Sequence, residues 1–304
     1  MRHLVTLMDW SPDEIRTVIK LAHKMKRDLR KGLLKPTLAG RTLALLFEKS
    51  SMRTRVSFEV AMTQLGGASI YLSKADVDLG TREPIKDGAR VLSRYVDGIA
   101  ARVYAHATVE ELAAYSTVPV INALSDKAHP CQALSDAMTV EERFKDLEDV
   151  TVTFIGDANN VAAELAIICV KLSMNFRIAA PKGYQFGEEF LRQVRALGKA
   201  SVTQTDSPTE AAAGAHALYT DTWVSMGQET EAAQRIKDFK GYTIDAKLVK
   251  AARRDVIVMH CLPAYRGKEI TDDVIEGPHS VVFDQAENRL HTQRALLQML
   301  LGGR

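Results

Sequence analysis

The stretch "LLFEKSSMRTRVSFEVAMTQLGG", residues 45–67, begins as a buried strand and ends as an amphipathic helix. At the corner between them stand Lys49, Ser50, Ser51, Arg53, Thr54 and Arg55, three cations among three hydroxyls. Cations at a helix start oppose the positive end of the helix dipole, so a plain solvated turn would favour Asp or Glu here. The unpaired N–H groups of a helix N-terminus converge on one point, which suits an anion. Ser51 is the expected N-cap, placing Arg53, Thr54 and Arg55 in the first turn. Arginine forks match phosphate oxygens, and hydroxyls add further donors. The G-x-x-x-x-G-K-[ST] spacing of a P-loop is absent, so the corner reads as a phosphate pocket that does not imply ATP.

Outward from this corner, strand and helix patterns alternate. "RTLALLF" (41–47), "GASIYLS" (67–73), "GIAARVY" and "VPVINAL" read as strands, with helices at 83–95 and over "TVEELAAYS". A long helix, "PCQALSDAMTVEERFK", leads to a second alternating series through "VTVTFIGD", "NVAAELAIICVKLSM", "FRIAAP", "SVTQTD", "ALYTDTW" and "VIVMHCLP". That order predicts an α/β chain with two parallel sheets covered by helices, the halves meeting near residues 133–150. A final helix is expected from about His291 to Leu301. At 304 residues the chain is long for one core and suits two.

Forty basic against thirty-eight acidic residues leave a net charge of +2, so bulk charge points to neither a nucleic-acid nor a membrane partner. Three cysteines, Cys131, Cys169 and Cys261, cannot build a disulfide framework and fit a reducing, cytoplasmic setting. The opening residues read as a capped helix rather than a signal peptide: Ser11 caps, Pro12 takes the first position, and Glu14 closes a capping box. No apolar run is long enough to predict a membrane span.

Ligands of open parallel sheets bind beyond the carboxyl ends of the strands. Polar clusters fall at such ends: 50–54, Arg102, "DKAHPCQ" (126–132), "DANN" (157–160), "TDTWVSMG" (220–227) and "HCLP" (260–263). "FIGDANNVA" (154–162) lacks the glycines of a dinucleotide fingerprint, which argues against NAD. His129, Cys131, His260 and Cys261 lack the ligand spacing of structural zinc. His260 and Cys261, as strand neighbours, are also expected to point to opposite faces. No metal is expected.

The ordered motifs "FEKSSMRTR", "HPCQ", "DTWVSMG", "HCLP" and "AENRLHTQ" resemble those of the carbamoyltransferases, and within them the ornithine carbamoyltransferases, over essentially the whole chain. The resemblance implies two doubly wound α/β domains with the active site in the cleft between them. Residues 1–136 would bind carbamoyl phosphate, with a C-terminal helix, 288–304, packing back on them. Residues 137–287 would bind L-ornithine. It further implies a homotrimer or multiple of trimers, no cofactor, and carbamoyl transfer to the ornithine side-chain amine in arginine metabolism, in the biosynthetic direction.

Matched by motif, Ser51, Met52, Arg53 and Thr54 correspond to the phosphate loop. Arg102, His129, Pro130, Cys131, Gln132 and Arg289 correspond to further carbamoyl-phosphate contacts, and Asn160, Asp221, Ser225, Met226, Cys261 and Leu262 to the ornithine set. Arg102, His129 and Thr54 would hold the developing oxyanion, and Cys261 or Asp221 would take the amine proton. Two positions depart from the family pattern. Met52 stands where Thr is usual, and Asp78 stands where many relatives have Gln, with Arg82 a candidate cation to neutralise it. The aspartate carbamoyltransferases share the phosphate loop but are expected to carry Pro in place of Cys261 and to lack the "SMG" turn. Acceptors such as putrescine or an acylated ornithine, and a non-catalytic homologue, are the other readings.

Overall fold

The computed structural model describes every residue except Asp78, Met226 and Arg304, so the sequence expectations for Asp78 and Met226 lie outside the described residues. The chain divides into two compact units, Met1–Met138 with Glu287–Arg304, and Thr139–Ala286.

The first unit opens with helix α1 (Pro12–Arg30), whose capping box forms as read: the Ser11 hydroxyl accepts from the Glu14 N–H, and the Glu14 carboxylate accepts from the Ser11 N–H. Its apolar stripe, Ile15, Val18, Ile19, Ala22 and Met25, is buried at helical spacing. Then β1 (Thr42–Phe47), α2 (Met52–Gln64), β2 (Ala68–Ser73), α3 (Ile85–Leu92), β3 (Gly98–Arg102), α4 (His106–Tyr115), β4 (Val120–Leu124) and α5 (Pro130–Phe144) alternate. The sheet is parallel in the order β2-β1-β3-β4. Residues 43–47 of β1 are all buried, as expected where helices cover both faces of a parallel sheet. Because β3 pairs with β1 on the side away from β2, the winding reverses between β1 and β3. The loops leaving those two strands diverge there and open a crevice at their carboxyl ends.

The second unit repeats the plan with β5 (Thr151–Ile155), α6 (Asn160–Lys171), β6 (Asn175–Ala179), α7 (Glu188–Arg195), β7 (Val202–Thr205), α8 (Pro208–Ala212) and β8 (Ala217–Thr220). It continues through α9 (Ala232–Asp238), α10 (Ala246–Ala251), β9 (Ile257–His260) and α11 (Asp272–Ile275). The parallel order is β7-β6-β5-β8-β9, so here the winding reverses between β5 and β8.

Helix α12 (Val282–Leu301) starts nine residues before the expected His291. The residues around its start, Val281-Val282-Phe283, look like a strand in sequence. Tertiary contacts override that local preference: the Val281 N–H donates to the Val258 carbonyl at the β9 edge (3.0 Å), and Val282 is buried in the core of the second unit. Conversely, the helix expected over 83–95 is trimmed to α3. Among the described residues, no helix is long and apolar enough to cross a membrane.

Candidate active site

In the first unit, the corner after β1 is a capped helix start. The Ser51 hydroxyl accepts from the Thr54 N–H at 3.3 Å. Thr54 is buried, and its hydroxyl accepts from Arg289 Nη2 at 3.3 Å. Arg289 Nη1 donates to Gln132 Oε1 at 2.7 Å, and Gln132 Nε2 donates to Asp136 Oδ1 at 2.8 Å. Residues far apart in sequence, on α2, α5 and α12, thus form one polar chain. Arg102 is buried at the end of β3, and its carbonyl accepts from the Glu48 N–H at 2.9 Å, fastening the two loop starts together.

His129 is buried just before α5. Burial holds its imidazole well below the usual histidine range, and the charges of Arg289, Arg102, Lys49 and Arg53 push the same way. At neutral pH the ring is therefore uncharged, with one N–H donor and one acceptor. Its Nδ1 has no hydrogen-bond partner among the described residues. A neutral donor ringed by cations is complementary to an anion that also carries a carbonyl oxygen.

In the second unit, Asn159 caps α6: its Oδ1 accepts from the Val161 and Ala162 N–H groups at 3.0 and 3.1 Å. Its Nδ2 donates to Asp221 Oδ2 at 2.9 Å. The other Asp221 oxygen accepts from the Thr222 N–H at 2.8 Å and from the Cys261 thiol at 2.9 Å. The winding reversal explains the convergence, since β5, β8 and β9 are consecutive in the sheet and release Asn159, Asp221 and Cys261 at the same end.

The turn after β9 is held by His260. Its Nδ1 accepts from the Leu262 N–H at 2.8 Å, so Nε2 carries the proton toward Glu269 Oε1 at 3.2 Å, and both side chains are fully buried. Leu262 adopts φ +57°, a conformation uncommon outside glycine and costly enough to need this fixation. Buried Arg235 steadies the preceding loop by donating to Asp157 Oδ2 at 2.9 Å and to the Trp223 carbonyl at 3.0 Å.

Residues 2–142 match the carbamoyl-P binding domain, and residues 148–300 the Asp/Orn binding domain, of aspartate/ornithine carbamoyltransferase. The chain belongs to the aspartate/ornithine carbamoyltransferase family. The ornithine carbamoyltransferase of Pyrococcus abyssi is 50% identical over 99% of this chain and 96% of its own, and that of Halalkalibacterium halodurans is 48% identical over the same shares. In structure, ornithine carbamoyltransferase from Pyrococcus furiosus superposes with a TM-score of 0.97 at 49% identity, covering 100% of this chain and 98% of that one. Anabolic ornithine carbamoyltransferase from Campylobacter jejuni superposes with a TM-score of 0.94 at 40% identity, covering 100% of both.

Within this carbamoyltransferase chain, the sequence-predicted residues take the following places. Arg55, counted in the anion-binding corner, donates to Glu59 at 2.9 Å and lies over the Tyr71 ring at 3.8 Å, so its charge is spent on the α2 surface. The Cys131 thiol is buried and donates to the Asn122 carbonyl (3.5 Å). The Met52 side chain is exposed at the first position of α2. Pro130 opens α5, and the Ser225 N–H donates to Gln228 Oε1 at 3.0 Å. His260 and Cys261 do not diverge as strand neighbours should: with Asp221 they offer donor atoms all within 4.8 Å of one another. Both His260 nitrogens are engaged in holding the turn, so that trio is a hydrogen-bonded assembly and not an open ligand set. Asp157 and Asn159 belong to the "DANN" cluster that the sequence offers, though with no role of their own, and Arg235 and Glu269 are not singled out by it. Only Asn159 carried a signal for its role, as the cap residue between a strand and a helix.

Proposed function

We propose that this protein transfers the carbamoyl group of carbamoyl phosphate to the side-chain amine of L-ornithine, giving L-citrulline and phosphate. The first unit is the carbamoyl-phosphate half, with Ser51, Arg53, Thr54 and Arg289 directed to phosphate and Arg102, His129 and Gln132 to the carbamoyl end. The second unit takes ornithine through Asn160, Asp221, Ser225, Cys261 and Leu262. The observation that carries the choice of ornithine over aspartate as acceptor is the Cys261–Asp221 contact at 2.9 Å. A thiol and a carboxylate sharing one hydrogen bond make a proton acceptor beside an ammonium-binding group, where the aspartate-specific relatives are expected to have Pro.

The amine nitrogen attacks the carbamoyl carbon, forming a C–N bond and a tetrahedral centre. Arg102, neutral His129 and Thr54 donate to its oxygen. The C–O bond to phosphate then breaks, the departing phosphate takes the proton that the attacking nitrogen still has to lose, and Arg53 with the α2 N-terminus stabilises the departing charge. Freeing an amine with a lysine-like pKa of about 10.4 costs roughly 4–5 kcal/mol at pH 7, which the Asp221–Cys261 pair offsets by taking the proton.

The biosynthetic direction is supported by the "anabolic" name of the Pyrococcus furiosus relative, 49% identical. A cytoplasmic homotrimer is the assembly we propose, tested by light scattering. The deciding assay supplies carbamoyl phosphate with ornithine, aspartate, putrescine or N-acetylornithine and scores ureido product and phosphate. Product with ornithine alone is expected. Turnover only with another amine overturns the acceptor, and none with any amine overturns the transferase reading.

A further inference from the structure

Arg102 and His129, the two groups directed to the carbamoyl end, stand at the ends of neighbouring strands, one closing β3 and one beyond β4. The ladder between those strands does not reach them unbroken. Its register slips at Arg102: Ala101 pairs with Asn122, but Arg102 pairs with Leu124. A slip of this kind re-aims side chains and disrupts the pairing that would fix them. Past it, the Val103 N–H donates to the Leu124 carbonyl (2.9 Å) and the Asp126 N–H to the Tyr104 carbonyl (3.0 Å).

His106 adds the side-chain part of this joint. Ala105, ahead of α4, has no side chain to cap the helix, and the Asp126 carboxylate takes over by accepting from the His106 N–H at 2.7 Å. The His106 ring is buried, and its Nδ1 shares a hydrogen bond with the fully buried Ser125 hydroxyl at 2.7 Å. Burial lowers its pKa more than Glu110, Asp126 and Asp9 raise it, and Lys127 adds to the lowering, so the ring is neutral at neutral pH. Asn122 holds the same hydroxyl: its Nδ2 donates to Ser125 Oγ at 3.1 Å and to the Val5 carbonyl at 2.9 Å. The Ser125 N–H in turn donates to the Ala128 carbonyl at 3.0 Å, closing the turn whose next residue is His129. One side-chain bond and one turn thus connect the His106 ring to His129.

We propose that His106 is a positioning residue of this site, its ring fixing, through Ser125, the turn that sets His129 relative to Arg102. The inference rests on the carbamoyl-phosphate reading of the first unit. The oxyanion that these two groups meet forms only in the transition state, so misplacing one of them lowers kcat. Phosphate binding depends instead on Ser51, Arg53 and Thr54 at the start of α2, which the His106–Ser125 bond does not touch.

The test compares His106→Ala, Ser125→Ala and His106→Asn in the full-length protein, Asn placing an amide where Nδ1 stood. With carbamoyl phosphate and ornithine, kcat, the inhibition constant of inorganic phosphate and the thermal midpoint are read for each. His106→Ala and Ser125→Ala should lower kcat by roughly 10- to 100-fold, while the phosphate constant holds. His106→Asn should recover most of the loss. In a His129→Gln background, His106→Ala should lower kcat little further, because the group it positions is already gone. Should His106→Ala fail to fold, Ser125→Ala takes its place in that cycle. An undiminished further loss in the His129→Gln background overturns the inference, as does a lower midpoint with kcat intact. Equal losses in His106→Asn and His106→Ala overturn it too, and so does a rise in the phosphate constant as large as the fall in kcat. His129→Gln at the wild-type rate defeats instead the carbamoyl-end reading on which the inference rests.

Discussion

Replacing Arg289 by Met tests the polar chain of the first unit most directly. Met keeps most of the buried volume and removes the charge and both donors. The 2.7 Å bond to Gln132 Oε1 is charge-assisted, and the 3.3 Å bond to Thr54 is the weaker of the two. A charged hydrogen bond contributes about 1.5–3 kcal/mol, and a buried acceptor left without its donor costs about 1–3 kcal/mol. For Gln132 and Thr54 together, a loss of roughly 3–5 kcal/mol follows. A second consequence is independent of stability. Arg289 is the largest charge depressing the His129 pKa, after burial. Its removal should move His129 titration upward, still short of the usual histidine value because burial, Arg102, Lys49 and Arg53 remain. Urea unfolding followed by circular dichroism reads the first effect. Histidine-labelled NMR, with His129→Gln identifying the resonance, reads the second. An Arg289→Met protein as stable as the wild type, with His129 titrating unchanged, would refute the reasoning.

In Cys261→Ala, kcat should fall by roughly 10²–10⁴-fold, and the pH–rate profile should shift its alkaline-dependent limb. Full activity with an unchanged profile would assign the proton to Asp221 or to the substrate's phosphate. Arg235→Ala leaves Asp157 and the Trp223 carbonyl without their donor, so ornithine KM should rise about tenfold while carbamoyl-phosphate KM holds, and Arg235→Lys should recover part of the loss. Equal effects on both substrates would contradict a local role for that loop. His3, His106, His129, His216 and His291 are all held below the usual 6.5, chiefly by burial. The unfolded chain therefore takes up protons near pH 6.5 that the folded chain refuses. Stability should be complete above that pH and decline as pH falls from about 6.5 toward 5. Urea midpoints at pH 7.5, 6.5 and 5.5 check the sign, and a rising midpoint would falsify it.

The strands and the two helix starts at Ser11 and Ser51 were legible because each depends on neighbours in sequence: an apolar run, a hydroxyl before the first turn, a carboxylate three residues on. The clusters at strand ends were legible for a related reason, since a parallel sheet gathers its loops at one end whatever the loops contain. What escaped depends on distant partners. Nothing around Arg235 says that it will reach Asp157, 78 residues earlier, and Glu269 looks like any loop carboxylate until His260 is found beside it. Arg55 shows the opposite error. Its place in the first turn was read correctly, but helix rotation turned its side chain to Glu59 and Tyr71. The early start of α12 was hidden by β-branched residues whose strand-like composition reflects docking on β9.

Helix α12 also bears on how the protein is made. Arg289, which completes the pocket with Thr54 and Gln132, follows the entire second unit in the chain, as do Asn288, which accepts from buried Lys26 at 2.8 Å, and Arg294, which reaches Gln64. During synthesis, domains generally fold in the order they emerge, yet here the unit begun first cannot close until the later one has left the ribosome. Until then the nascent first half carries a buried-to-be lysine and an unfinished seam along α1 and α2, open at Lys26, Thr54 and Gln64. Chaperone binding during translation should concentrate on that seam and end when the segment bearing Asn288, Arg289 and Arg294 appears.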